Sequence, residues 1–240
     1  MNTPVKKILI IVPAFNECGN IGRTVEEIRH VGMAADILVI DDGSWDDSAQ
    51  EARRAGGMVV TLPFNLGIGA AVQTGFQYAQ QHHYDIAVQI DGDGQHDASY
   101  LNKIIEPLVC DCADMVVGSR FLENTGGFRS SFSRRLGINF FVHLINILTG
   151  VKVLDPTSGF RGYNKKTIAL FSSYYPHDFP EPEAIVVAQQ ERLRIVEVAV
   201  AMRPREAGSS SIRYLKTLYY MSKVTLAILL HMIRQRKRVR

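Results

Sequence analysis

The sequence predicts an α/β domain built on a mainly parallel central sheet with helices on both faces. Short runs rich in Val and Ile ("KKILIIVPA", "ADILVIDD", "GMVVTLP", "YDIAVQID", "ADMVVGSR") are apolar on both faces, as strands covered from both sides must be. The segments between them repeat apolar residues every three or four, the period of a helix with one buried stripe. Each run also gives way to polar sequence, and in such sheets ligands bind outside the carboxyl ends of the strands.

In chain order, Ile8 to Val12 form the first strand; the basic and apolar N-terminus lacks the small-residue cleavage site of a secretion signal. "GNIGRTVEEIRHV" is the first helix. The second strand runs into "DDGSWDD", where Trp45 is expected to cover a helix start, and the third into "PFNLGIGAA", which opens a helix. The fourth ends in "DGDGQHD", followed by the helix "SYLNKIIEPLV" and the fifth strand, which ends in "GSRF". These strand ends, with "PAFNE" after the first, should line one rim.

Beyond Phe121 the alternation loosens. "LENTGGFRSSFSRR" reads as a mobile loop, "LGINFFVHLINILTG" as an apolar helix, "VKVLDPTSGFRGYN" as turns, and "RIVEVAVAMRP" as a strand returning to the core. The expected division is one domain over 1–211 and an amphipathic helix with a basic tail over 212–240.

Composition narrows the functional classes. With 240 residues and 46% hydrophobic content there is ample material for one core. The net charge of +3 is uneven: "HMIRQRKRVR" holds five of the 27 Lys and Arg and no acid, leaving 22 basic against 24 acidic side chains elsewhere. No aromatic–basic interleaving marks a nucleic-acid module, so nucleic acid is not an expected partner. Cys18, Cys110 and Cys112 lack zinc-site spacing and suit a reducing cytoplasm.

The acid at the end of the fourth strand needs a chemical reason. As an EF-hand counted from Asp91, the loop would need Gly at the sixth position and Glu at the twelfth, which are His96 and Asn102. "NLGIGAAV" has Val72 at the third glycine position of a dinucleotide fingerprint, and no Gly-Lys-Ser/Thr phosphate loop occurs. What remains is a carboxylate pair, Asp91 and Asp93, suited to a hard divalent cation that keeps sites open for a phosphate-bearing ligand. Asp97 weighs less. His82, His83 and His96 are expected in solvated loops, with His96 a weak further candidate because it adjoins the pair.

"VPAFNE", "DDGS", "NLGIGAAVQTG", "DGDGQHD", "GSRF" and "DPTSGFRGYN", in this order over roughly the first 165 residues, resemble the inverting family 2 glycosyltransferases. The similarity is to the branch of dolichyl-phosphate mannose synthase and bacterial polyprenyl-phosphate sugar transferases. It implies a GT-A type nucleotide-sugar-binding fold and a UDP- or GDP-sugar donor. Pro13, Phe15 and Glu17 would border base and ribose, with Asp41 and Asp42 accepting hydrogen bonds there. Asp91 and Asp93, with Gln95, would hold Mg²⁺ or Mn²⁺ on the diphosphate, and Arg120 and Arg205 would balance phosphate charge. Ser211 stands where phosphate-acceptor members often carry lysine.

The acceptor decides whether a base is needed. A lipid phosphate is already a nucleophile at neutral pH, whereas a hydroxyl must lose its proton to a carboxylate. Glu181 and Glu183 in "HDFPEPEAI" are either such a base or sugar-orienting groups, or simply favourable first-turn acids of a helix. The resulting expectation is metal-dependent inverting transfer to polyprenyl phosphate at the cytoplasmic face of a membrane. Transfer to a hydroxyl of a lipid-linked saccharide and a non-catalytic nucleotide-binding scaffold are the alternatives.

Arg129, Arg134 and Arg135, beside the apolar helix, would meet the lipid phosphate. The tail places Leu215, Leu218, Tyr219, Leu226, Leu229, Leu230 and Ile233 on one stripe, and its uncharged stretch of ten residues after Lys223 is too short for the ~20 that span a bilayer. It would pack on its own domain, lie on an anionic membrane surface, or dock on a small membrane protein or a second copy of the chain.

Overall fold

The computed structural model describes residues 6–122, 132–178, 180–203 and 221–228. The elements are β1 (Ile8–Ala14), α1 (Ile21–His30), β2 (Asp36–Asp41), α2 (Ser48–Arg54), β3 (Met58–Thr61), α3 (Ile68–Gln81), β4 (Ile86–Gln89) and α4 (Leu101–Val109). They continue with β5 (Met115–Ser119), α5 (Phe132–Thr149), β6 (Arg161–Asn164), α6 (Lys165–Ser173), α7 (Pro180–Gln190) and β7 (Ile195–Ala199). The described strands form one sheet in the order β3-β2-β1-β4-β6-β5-β7, parallel except for β6, which runs antiparallel to both neighbours.

The strand periodicity explains the layers. Leu9 and Ile11 point to one face and pack with Phe76, Phe171 and Tyr175 beneath α3, α6 and α7; Ile10 and Val12 point to the other and pack with Val25, Ile28, Leu101 and Ile104 of α1 and α4. Both faces are buried, which is why these strands carry no polar alternation. α3 lies so near β1 that a Cβ on Gly75 would come within 2.4 Å of Ile11 Cγ2, so glycine sets the helix–sheet distance. From β1 the chain builds outward through β2 to β3, then returns to place β4 on the other side of β1. That reversal opens a crevice between the ends of β1 and β4, the position at which open α/β sheets bind ligands.

Two sequence expectations need correction. "VKVLDPTSGFRGYN" contains a strand in the middle of the sheet: β6 is the four residues Arg-Gly-Tyr-Asn, and α6 follows it directly. Its pairing with β4 and β5, not an apolar run, makes it a strand. Trp45 is 82% exposed and covers no helix start. The side chains of Cys110 and Cys112 approach each other across Asp111, whose φ of 55° folds the Cα atoms to 5.4 Å apart.

Residues 221–228 are helical and lie on the body of the domain, with Val224 and Ile228 buried in the core beside α7. Each such buried aliphatic side chain contributes about 1.5–3 kcal/mol. Leu226 is exposed, and Lys223 Nζ pairs with Asp178 at 2.7 Å. This stretch therefore packs on its own domain. Arg129, Arg205, Ser211 and the basic end lie outside the described residues, as does the boundary at 211. No helix among the described residues is long and apolar enough to cross a membrane.

Candidate active site

A cleft of about 370 Å³ opens at the β1–β4 crevice, bordered by Pro13, Phe15, Glu17, Asp42, Asn65, Gly67, Asp91, Asp93 and Glu181. Hydrogen bonds from backbone N–H groups to side-chain oxygens link the strand-end loops and shape its mouth. Asn16, held at φ 54°, donates its N–H to Ser44 Oγ at 2.9 Å and accepts from the Trp45 N–H on Oδ1 at 3.1 Å. The Glu17 N–H donates to Ser48 Oγ at 2.8 Å. Phe15 meets Trp45 edge-on, centroids 5.1 Å apart. Asp42 accepts the N–H groups of Leu66 and Gly67 on its two oxygens at 2.8 and 2.9 Å while bordering the cleft; buried Asp41 accepts the Ser44 N–H at 3.1 Å. Both carboxylates thus brace the loops where base and ribose contacts were expected.

Asp91 and Asp93 line the floor. Burial pushes the Asp91 carboxyl up, but the hydrogen bond from His96, with Arg120 and Gln89 nearby, outweighs it and holds the group below the usual carboxylate value. His96 Nε2 lies 3.1 Å from Asp91 Oδ2, and His96 is 4% exposed, so it is a core residue and not a solvated loop histidine. A Cβ on Gly159 would fall 2.7 Å from Asp91 Oδ2, so glycine is required for that close approach. Asp93 accepts the Gln95 N–H at 3.1 Å. The Gln95 amide reaches the Arg203 carbonyl at 3.5 Å, and the Arg203 N–H returns a bond to the Gln95 carbonyl at 2.8 Å. Asp97 caps the short helical turn at Ala98–Tyr100 through the Ser99 N–H and pairs with Arg203 at 3.4 Å.

Arg120 does not border the cleft. Its guanidinium is buried and forks onto Asp155, with Nε and Nη2 each 2.6 Å from a carboxylate oxygen and Nη2 3.0 Å from Thr157 Oγ1. Arg161, fully buried, donates to the carbonyls of Ser158, Pro156 and Glu181 at 2.7–2.8 Å. The two arginines grip the turn 155–161 from both ends, and Glu197 accepts the N–H groups of Leu154 and Asp155. Neither Asp155 nor Arg161 was singled out from the sequence; the motif "DPTSGFR" was the signal, but periodicity cannot show that its charges point inward.

α7 separates the two expected glutamates. Residues two apart do not share a helix face. Glu181 faces the cleft, where burial raises its carboxyl to about 7; Arg161 opposes that shift and the Asp91 charge adds to it. Glu183 lines a different pocket with His177, Asp178 and Lys223, is raised by burial, and accepts a hydrogen bond from Tyr174 Oη at 3.1 Å. Of the arginines beside α5, Arg135 is exposed, and the side chain of Arg134 lies outside the described residues.

The family model for glycosyl transferase family 2 matches residues 9–171, more than half of the chain. The chain belongs to this family. Among curated proteins, this family 2 glycosyltransferase is 29% identical to the UDP-N-acetylglucosamine–dolichyl-phosphate N-acetylglucosaminyltransferase of Methanococcus voltae, over 81% of this chain and 85% of that one. It is 29% identical to the polyprenol monophosphomannose synthase of Mycolicibacterium smegmatis, over 86% and 81%. The fold matches glucosyl-3-phosphoglycerate synthase from Mycobacterium tuberculosis, crystallised with Mn²⁺, UDP and phosphoglyceric acid, with TM-score 0.71 and 22% identity over 95% of this chain and 78% of that one. The sheet and its helices are thus of the GT-A kind.

The glycosyltransferase's cleft suits a hard cation in donor type, since Asp91 and Asp93 both offer carboxylate oxygens and Asp91 is held ionised. Among the described residues no group of three His, Cys, Asp or Glu is placed to hold an ion alone. A divalent ion would draw its remaining ligands from a diphosphate and water, as Mg²⁺ habitually does.

Proposed function

We propose that this enzyme transfers a sugar from a UDP- or GDP-sugar to polyprenyl phosphate with inversion at the anomeric carbon, at the cytoplasmic face of a membrane. The observation that carries the reading is that Asp91, Asp93 and Glu181 line one cleft at the β1–β4 crevice. The printed activities of the relatives from M. voltae and M. smegmatis, both with polyprenol-type acceptors, support the acceptor class.

Pro13, Phe15 and Asp42 border the nucleotide. Asp91 and Asp93 would hold Mg²⁺ or Mn²⁺, which when bound would supply positive charge to stabilise a leaving diphosphate without a proton transfer. Arg120 acts from behind, holding the turn that presses Gly159 on Asp91. Glu181 serves the acceptor. With a carboxyl at about 7, a substantial fraction is protonated at neutral pH and can donate a hydrogen bond to an anionic phosphate instead of repelling it. Ionised, the same group is suited to take a proton from a hydroxyl, which favours transfer to a lipid-linked saccharide as the second reading.

Leu136, Phe140 and Ile147 form an exposed apolar stripe along α5 next to Arg135. It supports entry of a lipid phosphate from an anionic membrane surface. A small membrane protein or a second copy of the chain is the other occupant to test there.

Incubating membranes that contain the protein with labelled nucleotide sugars, then extracting the lipid and treating it with mild acid, tests the assignment. Release of the sugar by acid is the expected result. An acid-stable glycoside would replace the phosphate acceptor with a hydroxyl, and binding of the nucleotide with no transfer to any lipid fraction would leave a scaffold.

A further inference from the structure

His96 is one of the few buried polar side chains near the cleft that the proposed chemistry leaves without a task. It is 4% exposed, with its ring 5.3 Å from that of Phe160. Its two nitrogens have opposite surroundings: Nε2 is 3.1 Å from Asp91 Oδ2, while Nδ1 is buried with no hydrogen-bond partner among the described residues. A bare ring nitrogen in an apolar setting gives up an acceptor's hydration only, whereas an N–H there would be a buried donor with nothing to receive it. The proton therefore belongs on Nε2, where the Asp91 carboxylate accepts it.

We infer that His96 is a positioning residue for Asp91: its Nε2–H fixes Oδ2, so that the carboxylate presents its other oxygen to the cation and diphosphate of the donor. The inference rests on the assignment of Asp91 to the donor phosphates. Several constraints meet at this one side chain. Gly159 also lies against the carboxylate, since an added Cβ would fall within 2.7–2.8 Å of both oxygens. The backbone of His96 also forms an antiparallel bridge with Met202, beside the paired backbone bonds of Gln95 and Arg203. The donor loop and the segment after β7 are thereby fastened at the residue that aims Asp91. Partners that hold a metal ligand in this way typically change metal affinity 10–100-fold when removed.

The test uses the full chain. Calorimetric titration with UDP and with GDP, each with and without Mn²⁺, is compared for wild type, His96→Ala, His96→Gln and His96→Asn, with melting temperatures measured in parallel. The Mn²⁺-dependent part of nucleotide affinity should fall about tenfold or more in H96A. H96Q, whose amide nitrogen reaches the Nε2 position, should recover most of it, and H96N, whose amide nitrogen stops near the Nδ1 position, should not. Nitrogen NMR of the wild-type rings gives a readout independent of folding of the variants: one buried histidine with a bare Nδ1 and a protonated Nε2. A protonated Nδ1 in His96 overturns the inference, as does a folded H96A with unchanged Mn²⁺-dependent affinity. If wild type binds neither nucleotide with Mn²⁺, the donor assignment of Asp91 fails instead, a result separable from the other two.

Discussion

The two halves of the sheet handle charge in opposite ways. On the β3-β2-β1-β4 side, Asp42, Asp91 and Asp93 stand at strand ends and keep one edge on the cleft. On the β6-β5-β7 side, charges are engaged within the protein: buried Arg120 is clamped to Asp155, buried Arg161 to three carbonyls, and buried Asp114 to the exposed Arg194 at 2.9 Å. One half presents carboxylates to a ligand; the other uses ion pairs to fix the turn and helix that close the cleft. Removing a charge from the first half should therefore cost activity, and removing one from the second should cost stability.

The largest expected effect is on the bracing side. Asp155→Asn leaves the Arg120 cation buried without its counter-charge, which costs about 3–5 kcal/mol; urea unfolding should show the loss, and a variant as stable as wild type would break the comparison. Next is Asp93→Ala, expected to lower turnover about a hundredfold or more with an unchanged melting temperature, as loss of one group that stabilises transition-state charge does. A drop in stability without loss of turnover would place Asp93 with the braces.

Glu181 and Glu183 sharpen the contrast within one helix. Glu181→Ala should lower turnover about tenfold, the equivalent of about 1.4 kcal/mol of barrier, and Glu183→Ala should leave it unchanged. The pH profile then separates the two acceptor readings. With the carboxyl at about 7, the acid form prevails below that pH and the ionised form above it. If Glu181 donates a hydrogen bond to a phosphate, KM for the acceptor climbs as pH rises through about 7 and Glu181→Gln stays active. If Glu181 is a base for a hydroxyl, kcat falls as pH drops through about 7 and Glu181→Gln is inactive.

The smallest effect concerns Asp114, whose carboxyl is held well below the usual range by its hydrogen bonds with Arg194 and Asn164, which outweigh the opposing effect of burial. A depressed carboxylate stabilises the fold above its unfolded value of about 3.9 and loses that contribution as pH falls from there toward the folded value. Asp114→Asn should thus cost about 1–3 kcal/mol near neutrality and progressively less below about pH 4, measured by urea unfolding across that range.

The presenting half was legible in the sequence because its logic is local. A doubly buried parallel strand reads as a continuous apolar run, and its polar exit marks the rim, so Pro13, Phe15, Glu17, Asp42, Asp91 and Asp93 could be grouped before any geometry was known. The bracing half was not legible for a tertiary reason. β6 has a buried Arg, a Gly and a polar end where a strand signal needs an apolar run, and only its neighbours make it a strand. Arg120, which the resemblance put at the phosphates, has its partner Asp155 35 residues away, a pairing that the local sequence does not display. His96 looked solvated because its neighbours in sequence are polar, whereas Phe160 and Asp91 enclose it. Glu181 and Glu183 looked like a pair because the sequence does not display which way α7 is turned.

The antiparallel β6 has a consequence for how the chain reaches its native state. Its register joins Gln89 to Arg161 and Val117 to Arg161, so the central gap in the sheet is closed by a segment far along the chain from β4. Pairings of such sequence separation carry a large loop-closure entropy and form late relative to local ones. The β1–β2 and β2–β3 pairs join segments close in sequence, whereas β4 must reach both β1 and β6 across long separations, so the crevice between β1 and β4 and the wall that carries Gly159 and Glu181 wait for these later pairings. Pulse-labelled amide exchange during refolding should accordingly find β1 and β2 protected before β6, with the sheet completed and the reacting pocket enclosed in the same event.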